Sequence, residues 1–64
     1  MLETLYKVTM ELKFVERTGL VKIPVKVRAK NEFEAAEKAS YALTEAYEDL
    51  ILDGEVDDIE IVLE

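Results

Sequence analysis

The chain has 64 residues, of which half are hydrophobic, no cysteine, no histidine and a formal net charge of −7. This length allows one small α+β or similar domain, residues 1–64, with a core that contributes no more than about 3–5 kcal/mol of net stability. The lack of cysteine excludes disulfides and thiolate metal sites and fits a cytoplasmic protein. No apolar run reaches the length of a membrane helix, so no membrane partner is expected.

Period-two alternation predicts the first two elements as a β-hairpin. Residues 4–15 and 21–29 each alternate apolar with polar side chains, and turn-forming residues 16–19 separate them. Pairing Phe14 with Val21 keeps both apolar rows on one face, and it places Lys13 opposite Lys22 and Lys7 opposite Arg28. Glu11 then lies diagonal to its neighbouring lysines.

Pro24 lies in the middle of the second predicted strand. Proline cannot donate a hydrogen bond to a neighbouring strand, so the second strand is expected at a sheet edge. The first strand, which has the more regular alternation, is then expected at the centre of the sheet.

A helix is predicted from Asn31 to Gly54. Asn31 and Glu34 have the spacing of a capping box, and Gly54 can end a helix. One predicted helix face is apolar, and it consists of Phe33, Ala36, Ala39, Ser40, Leu43, Ala46, Tyr47, Leu50 and Ile51. After an acidic connection, residues 59–63 alternate again and predict a third strand.

These elements predict an α+β fold with the order β-β-α-β. A right-handed crossover places the third strand beside the first, which gives a three-stranded antiparallel sheet in the order 2-1-3. The single helix covers one face of this sheet, and the other face remains open.

The residue inventory favours a non-enzymatic protein without catalytic residues or cofactor. Histidine and cysteine are absent, and the only serine, Ser40, lies on the predicted apolar helix face. The acidic stretch 53–58 does not have the ligand spacing of a calcium-binding loop, so we expect a solvated connection there and no metal site.

Charge divides unevenly along the chain and indicates a charged partner. Residues 1–30 carry seven Lys/Arg against three Glu, whereas residues 31–64 carry twelve Asp/Glu against one base, Lys38. The outer face of the predicted helix is acidic with two apolar members, and a protein partner with a basic surface is expected to bind there. The predicted partner-binding residues are Glu34, Glu37, Tyr41, Glu45, Glu48, Asp49 and Leu52. These carboxylates could also mimic DNA phosphates towards a nucleic-acid-binding protein.

Two other interpretations remain open. An anion such as nucleic acid could bind the basic open sheet face, although no aromatic side chain projects there for base stacking. The residues of this alternative anion-binding face are Lys7, Lys13, Lys22, Lys26 and Arg28. Alternatively, an exposed third strand could form a homodimer through residues 55–63.

The segments Val21–Val25 and Asn31–Ala39, together with Ala29 between them and a short third strand, resemble the small T7-type phage inhibitors of bacterial RNA polymerase. The resemblance covers about residues 6–62. It implies the same β-β-α-β order and a small phage-type protein that acts by binding a host protein, with a host polymerase as one such partner. It also relates the acidic strip of that family to Glu34, Glu37 and Glu45. The family contacts polymerase through arginines of the third strand, and residues 59–62 contain no arginine.

Overall fold

Three long strands and one helix follow one another in the computed structural model, which describes residues 2–63. The elements are β1 (Thr4–Phe14), β2 (Leu20–Ala29), α1 (Glu32–Tyr47), a 3₁₀ turn (Glu48–Leu50) and β3 (Ile51–Ile61). The strands form an antiparallel sheet in the order β2-β1-β3. The predicted fold class and strand order are confirmed.

β1 is the central strand, and its alternation separates the two faces of the sheet. Tyr6, Val8, Met10 and Leu12 are buried beneath the helix, and the residues between them point to the open face. β2 lies at the edge, as expected from Pro24. The molecule is elongated and measures 40 × 18 × 17 Å.

The register of the hairpin differs by two residues from the predicted one. Leu12 faces Val21, and the same offset holds along both strands. The last observed pair, Lys13 and Leu20, encloses residues 14–19, and this loop contains Gly19 at a φ of 84°. Because the offset is even, the apolar rows still share one face. Lys22 now faces Glu11, so the predicted Lys13–Lys22 repulsion is absent, whereas Lys7 faces Lys26 in place of the predicted Arg28.

The helix begins where predicted and ends earlier. The Asn31 side chain accepts a 2.8 Å hydrogen bond from the Glu34 N–H, which caps the first turn. The helix ends at Tyr47, not near Gly54, because a 3₁₀ turn follows it and β3 begins at Ile51. The Val15 N–H donates a 2.8 Å hydrogen bond to the Leu50 carbonyl, which ties this segment to the end of β1.

β3 is longer than predicted and includes the acidic stretch that was expected to be a loop. Its inward positions meet the buried row of β1, and they are Ile51, Gly54, Val56, Ile59 and Ile61. Two register shifts interrupt the pairing, one at Thr9/Met10 and one at Lys13/Phe14. Each shift inserts an extra residue, so the inward positions are spaced unevenly and simple alternation is hidden.

The core is small and lies mainly between α1 and β1. The helix contributes Ala35, Ala39 and Leu43 to it, and the small alanines allow the helix to approach the sheet closely. Phe33 was predicted on this apolar face but is 76% exposed. Ala46 is also exposed. The buried residues of the helix are Ala35, Ala39 and Leu43, which are spaced four residues apart.

The C-terminal end of α1 is fixed by an aromatic contact. The rings of Phe14 and Tyr47 lie edge to face with centroids 5.3 Å apart, an arrangement that stabilises by about 0.5–1.5 kcal/mol beyond area burial. Among residues 2–63, no helix combines the length and apolar character needed to cross a bilayer.

Substitution of Gly54 by alanine is expected to destabilise the fold. A Cβ at this position would lie 2.7 Å from Leu12 Cδ2, and the Leu12 side chain is fully buried and has little room to move. We expect a loss of about 1–3 kcal/mol in the free energy of unfolding, measured by urea denaturation. In a double-mutant cycle with Leu12→Val, the two losses should be less than additive. Strict additivity would contradict the close contact.

Candidate functional site

An acidic surface lies on the side of α1 that faces away from the sheet. Tyr41 is 67% exposed at its centre, with Glu37 one turn before it and Glu45 one turn after it. Glu48 and Asp49 continue the surface into the 3₁₀ turn. These five residues are called the acidic helix face below. All five were predicted as partner-binding residues.

Glu48 holds an unusual backbone conformation within the acidic helix face. It is the only described non-glycine residue with positive φ, at 43°, and its N–H still binds the Thr44 carbonyl. Side chains with a Cβ rarely adopt this conformation, which costs about 1–3 kcal/mol. The strain allows the chain to leave the helix and enter β3 within three residues, and it places the Glu48 carboxylate at the corner of the molecule.

Leu52 does not belong to the acidic helix face. It was predicted to align with Tyr41 three helical turns away, but it lies in β3 at the second register shift and is 61% exposed. The apolar helical periodicity continues through residues 50 and 51 in the sequence, and it led to the wrong prediction that Leu52 is helical. In the structure, the pairing of β3 with β1 places Leu52 in a strand instead.

Glu34 is a structural residue at the start of the helix. Its carboxylate accepts a 3.2 Å hydrogen bond from the Lys30 backbone N–H and forms a 3.4 Å ion pair with Lys38. The hydrogen bond from Lys30, followed by that from Lys38, lowers the pKa of Glu34 below its ordinary value. This carboxylate is therefore used within the chain, unlike those of Glu37 and Glu45.

Lys38, the single base of α1, joins the helix to the sheet. Its ammonium donates to the Arg28 carbonyl at 2.6 Å and contacts the Glu3 carboxylate at 3.3 Å. The Glu3 hydrogen bond, together with Glu34, raises the pKa of Lys38. These contacts direct its charge towards the sheet and leave the acidic helix face without a neighbouring base on α1.

The open sheet face brings all five predicted anion-binding residues together, but it also collects carboxylates. Its basic members are Lys7, Lys13, Lys22, Lys26 and Arg28, and its acidic members are Glu11, Asp53, Glu55, Asp57, Asp58 and Glu60. β2 supplies mostly bases and β3 only acids, so charge changes sign across the sheet. The face has no net positive charge.

Two ion pairs partly neutralise this face. Lys7 contacts Glu60 at 3.3 Å, and Lys22 reaches Asp57 at 3.3 Å. Because these pairs are exposed to solvent, each contributes little stability. Their importance is electrostatic, since they occupy lysines that would otherwise be directed at an external anion. The alternative nucleic-acid-binding interpretation is weakened by this arrangement.

A groove that the sequence did not indicate lies between α1 and β3. Phe33 and Ala36 form its helical side, Val56 and Ile59 form its strand side, and Tyr6 also lines it. We call these five apolar residues the helix–β3 groove. The rest of its lining is polar and consists of Lys30, Asn31 and Glu32. The exposed Phe33 could have indicated it, but the apolar periodicity of the helix assigned this side chain to the core.

Within residues 2–63, no group of three or more Asp or Glu side chains is positioned to hold a metal ion. The acidic stretch forms part of β3 rather than a loop that could wrap around a cation.

Neutralising Glu34 is expected to reduce the acid sensitivity of the fold. Because folding lowers the pKa of this carboxyl, its contribution to stability is present at neutral pH and is lost as pH falls through the folded-state pKa. Glu34→Gln should be less stable at neutral pH, and it should lose less unfolding free energy than the unmodified chain between about pH 6 and pH 3. Urea denaturation across this range measures the difference.

Glu37→Gln is the matched control for this experiment. Glu37 lies one turn away, and its side chain forms no hydrogen bond or ion pair with the rest of residues 2–63. Its replacement should leave the pH dependence nearly unchanged. Equal slopes for Glu34→Gln and the unmodified chain would show that the Lys30 and Lys38 contacts do not form in solution.

The mixed charge of the open sheet face predicts weak interaction with nucleic acid. At low salt and tens of micromolar protein, on the order of non-specific affinities, we expect no gel shift of single-stranded or double-stranded DNA. Replacing Asp57 and Glu60 by asparagine and glutamine should release Lys22 and Lys7 and produce a salt-sensitive shift. A shift by the unmodified chain would restore the nucleic-acid-binding interpretation.

Comparison with known proteins gives no relatives from which a role could be transferred to these surfaces. No protein-family model matches the chain, and neither the curated proteins nor the solved structures give a significant match. The resemblance to the T7-type phage inhibitors is neither supported nor contradicted by these comparisons. The function is therefore argued from the surfaces themselves.

Proposed function

We propose that this chain is a small acidic, non-enzymatic, cytoplasmic protein-binding module. It engages a basic surface of a larger protein, which we take to be one that handles nucleic acid, and it modulates or blocks that protein. The acidic helix face is the binding surface of this proposal. Such a surface can occupy the site where the partner would otherwise hold nucleic acid phosphates.

The observation that carries the proposal is the uncompensated charge of the acidic helix face. Glu37, Glu45, Glu48 and Asp49 are all exposed, and no ion pair within residues 2–63 involves them. The ammonium group of Lys38 is engaged by Glu3, Glu34 and the Arg28 carbonyl rather than by these carboxylates. Clustered carboxylates without counter-ions repel one another, and a basic partner relieves that repulsion.

Tyr41 gives this surface an anchor. Interface hot spots are enriched in tyrosine, because a rigid amphipathic ring buries a large area at a small entropic cost. The exposed ring lies between the carboxylates of Glu37 and Glu45, so an apolar contact would be surrounded by charged groups that steer association.

The resemblance to the T7-type phage inhibitors supports the same class of activity. It relates the acidic strip of that family to Glu37 and Glu45, which are exposed, and to Glu34, which is committed to the helix cap. A host polymerase is one partner of this kind. The third strand offers carboxylates where the family uses arginines, so a different set of contacts on the partner is expected.

Charge reversal on the acidic helix face tests the proposal. We compare the immobilised unmodified chain with Glu45→Lys/Glu48→Lys in capture experiments from host extract, with mass spectrometry of the retained proteins. The captured partner should bind the unmodified chain in a salt-sensitive manner. Reversal should weaken its affinity at low salt by at least about tenfold, because like charges then face each other.

The fold should survive this change, since both side chains are exposed. Lysine and glutamate both carry a Cβ, so the positive φ at position 48 should strain them about equally. A matched control reverses charge on the other side of the molecule, with Lys22→Glu/Lys26→Glu. This control should retain the partner. Unchanged capture by the helix variant would remove the acidic helix face from consideration.

A further inference from the structure

β3 is an edge strand, and its unpaired side runs beside the helix–β3 groove. Among residues 2–63 it pairs only with β1. Its inward side chains are unusually exposed for a strand beneath a helix, with Val56 at 39% and Ile61 at 59%. The helix covers the β1 side of the sheet better than the β3 side, so an apolar strip remains uncovered next to a free strand edge.

The backbone of β3 presents hydrogen-bonding groups on this free side. The Leu5 carbonyl accepts from the Val62 N–H at 2.9 Å, so the odd-numbered residues of β1 direct their backbone groups towards β3. In an antiparallel pair these groups bind the directly opposed residues, among them Asp58 and Glu60. The alternate residues Val56, Ile59 and Ile61 therefore direct their N–H and carbonyl groups away from β1.

The free edge is not uniform along its length. The Gly54 N–H donates a 2.9 Å hydrogen bond to the Asp53 carboxylate. At the register shift beside Thr9/Met10, Asp57 is an extra residue of β3 with no opposed partner in β1. Both features limit pairing with another strand. The uninterrupted free segment is 58–61, and Ile59, which lies within it, also lines the groove.

The charges beside this segment define what can pair with it. β3 carries only carboxylates on the open sheet face, and no ion pair within residues 2–63 involves Asp53, Glu55 or Asp58. On the β1 side, Lys7 shows how a lysine on a neighbouring antiparallel strand meets Glu60. Lysine or arginine side chains of a strand added on the other side of β3 could pair with the remaining carboxylates in the same way.

A second copy of this chain fits poorly at this edge. Antiparallel self-pairing of β3 would bring two rows of carboxylates together, which is destabilising. β2 of another copy has a suitable apolar–basic alternation, but its free edge contains Pro24, which lacks the N–H needed for pairing. The predicted homodimer through residues 55–63 is therefore disfavoured by charge.

We propose that the free edge of β3 at residues 58–61, together with the helix–β3 groove, binds an extended basic segment of another protein by strand addition. The added segment alternates apolar residues, which enter the groove beside Phe33 and Ile59, with Lys or Arg, which face the carboxylates of β3. This site goes beyond the acidic helix face and shares no residue with it, although Phe33 and Ala36 also line a second depression together with Glu37 and Tyr41.

The proposal is tested by titrating the ¹⁵N-labelled full chain with an eight-residue peptide that alternates valine and lysine. Expected changes are shifts and slowed hydrogen exchange of the Ile59 and Ile61 amides, with affinity that falls as salt rises. A peptide of the same composition in blocks of valine and lysine should bind more weakly. A peptide that alternates valine and glutamate should not bind.

Ile61→Pro isolates the backbone contribution. Ile61 lies at the end of β3, and its N–H points away from β1, so the fold should be retained in the ¹⁵N spectrum. Ile61→Ala is the matched control, because it removes the same apolar side chain and keeps the N–H. Proline should weaken peptide binding roughly threefold to tenfold more than alanine does, as expected for one lost hydrogen bond.

Two charge variants separate this site from the acidic helix face. Glu55→Gln/Asp58→Asn should weaken binding of the alternating peptide and reduce its salt dependence, whereas Glu45→Lys/Glu48→Lys should leave the shifts at Ile59 and Ile61 in place. The proposal is overturned by equal binding of the alternating and block peptides, by equal effects of proline and alanine at position 61, or by the absence of shifts at millimolar peptide. A sedimenting dimer at tens of micromolar chain that protects the Ile59 amide would assign the edge to self-association instead.

Discussion

The pairing of β3 with β1 is the constraint on which the rest of this structure depends. β1 provides one buried row, from Tyr6 to Leu12, and both neighbouring strands must align their inward side chains with it. β2 does so by simple alternation. β3 can do so only with two extra residues, because its apolar side chains are not evenly spaced. The hydrogen bond from Val15 to the Leu50 carbonyl starts this pairing immediately after the helix.

Several features follow from this early start of β3. The helix must end at Tyr47, which forces Glu48 into a left-handed backbone conformation. Gly54 must lack a side chain, because Leu12 occupies the space above it. The acidic stretch becomes one edge of the sheet rather than a solvated loop. A negative strand therefore lies opposite the basic β2, with β1 between them.

The distribution of charge is consequently different from a simple division into a basic sheet and an acidic helix. The sheet itself carries both signs, and the ion pairs of Lys7 and Lys22 with β3 use part of its positive charge. Within residues 2–63, the acidic helix face has no such ion pairs. The β3 edge and the acidic helix face are therefore the two negatively charged surfaces on which the proposals of a basic protein partner rest.

Much of this arrangement is determined by the sequence alone. The alternation of β1 and β2, the edge position imposed by Pro24 and the cap formed by Asn31 are local properties that follow from side-chain spacing and backbone chemistry. They were sufficient to predict the fold class, the strand order and the location of Tyr41 among exposed carboxylates. Only the tertiary structure decided the end of the helix, the position of Leu52, the exposure of Phe33 and the inclusion of the acidic stretch in β3. The physical reason is that residues 50–56 have weak and conflicting local preferences, so their conformation is set by the distant backbone and buried side chains of β1.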